Sequence, residues 1–99
     1  MDPTMFASVI EHTPLLDEDS KRYYLENFSQ FSPGYQEEII LIIQQHERDL
    51  LAAIEANNLA AEQEIQERLN ASMSAMRERE ERERAEEMAQ AHALINTGI

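Results

Sequence analysis

The 99-residue chain contains no cysteine and no tryptophan, only two glycines and three prolines, and few basic residues. Without cysteine there is no disulfide framework, no thiolate zinc site and no cysteine nucleophile. Two glycines cannot build a glycine-rich phosphate loop, and so few turn residues argue against a β-sandwich. Eight Lys and Arg stand against twenty Asp and Glu, a formal net charge of −12. A chain so short of cations is not expected to bind nucleic acid, which requires Lys and Arg facing phosphate. Docking on anionic membrane surfaces is disfavoured for the same electrostatic reason.

Long apolar runs are missing too. The longest is Ile39-Ile40-Leu41-Ile42-Ile43, far short of the roughly 20 residues needed to cross a bilayer. The start Met1-Asp2-Pro3 carries neither a signal-peptide pattern nor a myristoylation site, so the expected location is cytoplasmic.

Helix signals are abundant. Asp2-Pro3 pairs an N-cap residue with proline at the first helical position, and Met5, Phe6, Val9 and Ile10 then form one apolar face. Thr13-Pro14 ends that helix, because a residue before proline is pushed out of the α region. Asp17-Glu18-Asp19 opens a second helix with acids where the macrodipole favours them. Its inward face is Tyr24, Leu25 and Phe28. Ser29 to Gly34 reads as a loop, and Ser32-Pro33 repeats the cap-plus-proline signal for a third helix, with Phe31 placed to staple onto its first turn.

All six aromatic residues fall within the first 35 positions, and no proline or glycine occurs from Tyr35 to Asn96. The Ile39–Ile43 run is apolar on every side of a helix, which marks an element covered from more than one direction. Beyond it, an apolar stripe runs through Ile43, Glu47, Leu50, Ile54, Asn58, Ala61, Ile65, Leu69, Ser72 and Met76, with Leu51 and Met73 beside it. After the first step the spacing is 3-4-4, the eleven-residue pattern of a nearly straight helix pair. Asn57-Asn58 is the one place where the helix could end, since asparagine tolerates the left-handed conformation. The stripe keeps phase across it, and no capping box follows, because Ala60 and Ala61 stand where Glu or Gln would be needed. A continuous helix is the expectation, with Asn58 as a register-setting polar residue on the seam.

From Arg77 to Glu87 the chain consists of Arg and Glu apart from Ala85. The i,i+4 pairs Arg77/Glu81, Glu78/Arg82, Arg79/Glu83, Glu80/Arg84 and Arg82/Glu86 predict a solvated helical spacer. Apolar character returns in Ala85, Met88, Ala89, His92, Leu94 and Ile95, before Asn96-Thr97-Gly98 closes the helix.

Chemistry is hard to find in these residues. His12, His46 and His92 show no metal-ligand spacing, and His46-Glu47 begins a zinc-protease motif that fails because Leu50 occupies the second histidine position. No metal, cofactor or enzymatic activity is expected. The fold class is all-α: two short N-terminal helices packed on a long third helix that extends into a coiled-coil or antiparallel helical assembly. Residues 1–56 form the small bundle and 57–99 the long amphipathic and charged helix. A 56-residue unit is near the limit for folding alone, so a homo-oligomer, with another protein as an alternative partner, is expected. The interface assigned to it is Leu50, Ile54, Asn58, Ile65, Leu69, Met73, Met76, Met88, Leu94 and Ile95. Two alternatives remain: an acidic mimic that fills the basic site of a nucleic-acid-handling protein, and a small ligand- or metal-binding bundle.

Overall fold

A computed structural model describes residues 1–97, with side chains through Ile95. It contains α1 (Pro3–His12), α2 (Glu18–Glu26), a short 3-10 turn (Phe28–Gln30), α3 (Pro33–Glu55) and α4 (Leu59–Thr97). The three N-termini expected from the sequence form, with Asp17 as the cap of α2 and not a member of its first turn. Asp2 accepts from the Thr4 backbone N–H at 3.0 Å and Asp17 from that of Ser20 at 2.7 Å. Ser32 Oγ accepts from the Tyr35 N–H at 3.3 Å. Each cap satisfies an amide that the first helical turn leaves without a partner. Closure of the last helix at Gly98 lies outside the described residues.

The continuous helix across Asn57-Asn58 is overturned. Asn57 adopts φ 52°, the left-handed conformation. Its N–H donates to Ile54 O at 3.0 Å, and the Asn58 N–H donates to Ala53 O at 2.9 Å. This pair of reversed bonds is the Schellman ending, which satisfies the last carbonyls of α3. Asn58 then caps α4: its Oδ1 accepts from the Ala61 N–H at 3.1 Å. The full capping box is absent, but one side-chain acceptor is enough. α4 consequently turns back and runs antiparallel to α3.

One core results, drawing on both sides of residues 56 and 57. Phe6, Ile10, Leu15, Tyr24, Phe31, Tyr35, Ile39, Ile40 and Ile43 share it with Leu69, Met73 and Met76 from α4. Leu41 is the member of the apolar run that escapes, at 64% exposure. Buried Gln36 ties the 3-10 turn to α3, its Nε2 donating to Phe28 O at 2.9 Å and Phe31 O at 3.1 Å. Gln66 Nε2 donates to Leu15 O at 2.8 Å, fastening α4 to the α1–α2 connection.

α4 is much longer than α3. At 1.5 Å per residue its 39 residues span about 58 Å, which accounts for most of the 65 Å long axis of the molecule. The helix outruns the body by the stretch after Arg84, about 20 Å.

Candidate interaction surfaces

The body ends where α4 passes the N-terminus of α3. Three tethers mark the place. Glu80 accepts from the Ser32 backbone N–H at 3.2 Å and from the Ser32 hydroxyl at 3.3 Å. Arg79 pairs with Glu38, and Arg84 donates to Gln30 O. The Glu80 carboxylate therefore sits at the positive end of the α3 macrodipole, where an anion is favoured. The Glu38 carboxylate, by hydrogen bond and charge, raises the Arg79 pKa above its ordinary value.

These bonds replace the expected local ones. Among the described residues, none of the five i,i+4 pairs closes as a salt bridge; the two that form are Arg79–Glu38 and Arg22–Asp19. One side of residues 77–84 is thus docked against the body through Arg77, Arg79, Glu80 and Arg84, while Glu78, Glu81, Arg82 and Glu83 stay exposed. Cross-helix partners fixed by the fold engage Arg77, Arg79, Glu80 and Arg84 and so compete with three of the five pairs; nothing in the structure explains the two pairs that contain Arg82.

Beside the tethers lies an aromatic cluster. The Arg77 guanidinium carbon stands 3.9 Å from the centre of the Tyr23 ring and 5.8 Å from that of Tyr24. Phe31 and Tyr35 stack with centroids 4.9 Å apart. The Tyr35 hydroxyl and Arg77 Nε are buried without a hydrogen-bond partner. Burial pushes the Tyr35 phenol well above its ordinary pKa, and nearby Tyr24 and Tyr23 add to the effect. Tyr24 is raised mainly by burial as well, with the Arg77 charge opposing. Next to Arg77, Ser20, Tyr24, Asn70 and Ser74 border an open cleft of about 240 Å³. The sequence signal for this cluster was the confinement of every aromatic residue to the first 35 positions; which arginine would meet them was not legible.

The residues assigned to an interface divide into two groups. Ile65, Leu69, Met73 and Met76 are buried at 8% exposure or less within the chain. They are corrected from an intermolecular pairing face to the inner face of α4, because the turn at Asn57 folds the stripe back on α3. Leu50 is half-buried and packs against the same core. Asn58 is an exposed helix cap instead of a seam residue. Ile54, at the hairpin tip, is 49% exposed.

Met88, Leu94 and Ile95 form the second group, at 67%, 72% and 67% exposure. Every residue from Ala85 to Ile95 is exposed. Helix formation is limited by the cost of its first turn, so a stretch that extends an anchored helix needs no nucleus of its own. Ala85, Met88, His92 and Ile95 follow 3-4-3 spacing and line one side of this arm.

His12 and His46 each hydrogen-bond through Nδ1 to the carbonyl four residues earlier, Ser8 and Ile42, at 2.8 Å. Among the described residues no group of three or more His, Asp or Glu side chains is placed to hold a metal ion. Among the described residues no helix is long and apolar enough to cross a membrane. No known family matches the chain, and neither a curated protein nor a solved structure matches it.

Proposed function

We propose that the chain is a non-enzymatic helical interaction module, whose compact body holds out the end of α4 as a contact arm. The observation that carries this reading is the continuation of α4 past Arg84 with Met88, Leu94 and Ile95 in solvent. Burying a side chain of this kind contributes about 1.5–3 kcal/mol, so Met88 and Ile95 on one side of a short arm favour a partner surface. The arm offers a two-heptad seam, and the partner proposed for it is the same seam on a second copy. The protein acts in a structural or regulatory role, and a cytoplasmic location belongs to the same proposal.

The acidic-mimic alternative gains less support. Its acids would have to be gathered on one face, whereas residues 1–50 carry −7 and 51–99 carry −5. Part of that charge is already engaged, Glu80 by Ser32 and Glu38 by Arg79.

The test compares the full chain with a Met88→Ser/Leu94→Ser/Ile95→Ser variant by sedimentation equilibrium. The full chain is expected to associate with rising concentration, and the variant to associate less at every concentration with unchanged helicity. Equal masses at every concentration would remove the arm as a self-association element.

A further inference from the structure

We propose that the hinge at Asn57-Asn58 can open, so that α3 and α4 become one helix and two copies exchange α4 in a domain-swapped dimer. The occupant of each α3 face is then α4 of a second copy. This proposal concerns the hinge and does not rest on the arm.

Four observations carry it. First, the turn rests on a single residue: Asn57 holds φ 52°, a conformation that asparagine tolerates but glycine suits better and alanine resists. Second, no glycine or proline lies between Tyr35 and Asn96, so nothing in the chain prevents a helix across the hinge. Third, the stripe keeps phase through Leu50, Ile54, Asn58, Ala61 and Ile65. A hairpin does not need that continuity, since α3 and α4 are separate helices in it, whereas a single straight helix does.

The fourth is the register. Ser32 with Glu80, Glu38 with Arg79 and Gln30 with Arg84 are cross-helix pairs placed about symmetrically around the turn. Two opened chains related by a two-fold axis through the hinge re-form all of these bonds between copies. They also rebuild the core of Leu69, Met73 and Met76 on the partner's Ile39 and Ile43. Swapping is a low-cost route to dimers because it reuses contacts the closed chain already makes. It adds one interface: Ile54, 49% exposed at the closed tip, moves to the centre of the two-fold contact, and Asn58 returns to the seam as a polar residue that fixes register.

The full chain is refolded from denaturant at high concentration as wild type, Asn57→Gly, Asn57→Ala and Asn57→Ala/Asn58→Ala. Glycine relieves the left-handed turn and weakens a helix through it; alanine does the reverse. The alanine variants are expected to raise the dimer-to-monomer ratio roughly tenfold per hinge, the equilibrium equivalent of the left-handed penalty, and glycine to lower it. Spin labels at Glu37→Cys and Glu78→Cys, in chains diluted with unlabelled protein, read the intrachain distance. Opening separates these positions from neighbouring helices to about 62 Å along one helix. Asn57→Ala retains the Asn58 cap and so reports even if the double variant loses helicity. A monomeric Asn57→Ala, or a dimer whose intrachain distance stays short, overturns the proposal; the second result would assign association to closed hairpins joined elsewhere.

Discussion

Glu80 closes the N-terminus of α3 from 48 residues away, accepting both the backbone N–H and the hydroxyl of Ser32. The same hydroxyl accepts from the Tyr35 amide, so one serine links the start of one helix to the middle of another. This joint divides α4 into a docked part and a projecting part.

Replacing Ser32 with alanine should therefore cost more than local fraying. Loss of the cap is worth about 1 kcal/mol, which lowers the melting temperature of a domain this size by about 4–8 °C. Glu80→Ala shares the same partner, so the double variant should lose less than the sum of the single ones. Additive losses in thermal denaturation would separate the two residues energetically.

Leu69 is completely buried within the chain. Leu69→Ala should destabilise by about 2–5 kcal/mol through lost burial and the cavity left behind. Leu69→Asp should abolish cooperative folding. A residue that served only an intermolecular seam would instead yield a folded monomer, which circular dichroism and sedimentation together distinguish.

Tyr35→Phe removes a buried hydroxyl that has no partner. Deleting an unsatisfied polar atom should be neutral or slightly stabilising in chemical denaturation. Arg77→Met keeps an apolar stem but loses the cation over Tyr23 and should cost about 1 kcal/mol. A large loss in Tyr35→Phe would reveal a hydrogen bond of this hydroxyl, to Tyr24 or to water.

Acid should loosen the start of α2. The Asp17 carboxyl lies below its ordinary value of 3.8, chiefly through the Ser20 backbone N–H and then its side chain. A depressed folded pKa stabilises above the unfolded value, and that contribution is lost as pH falls through the folded one. Wild type should thus lose the advantage it holds over Asp17→Asn as pH falls below about 4. A stability difference independent of pH in that range would exclude the cap as its source.

The sequence made helix starts legible wherever a cap residue met proline or a run of acids, as at Asp2, Asp17 and Ser32. It did not reveal the turn at Asn57, because asparagine supplies a left-handed residue without the punctuation of glycine or proline. The unbroken stripe added to the difficulty: Ile65 and Leu69 present the same periodicity to α3 of their own chain as to another helix. Residues 77–84 misled for a different reason. Arg and Glu at i,i+4 spacing favour local pairs, but Glu38, Ser32, Gln30 and Tyr23 offer partners visible only once α3 and α4 lie side by side. The arm was legible as an apolar end after a charged stretch, and Met88 and Ile95 are exposed.

Hydrogen–deuterium exchange along α4, at a concentration where the protein is monomeric, tests the account most directly. Amides from about Glu62 to Glu80 should show the strong protection of the core, while those from Glu86 to Ile95 should exchange orders of magnitude faster. Uniform protection along the whole helix, or uniform lability, would contradict a docked inner segment with a projecting arm.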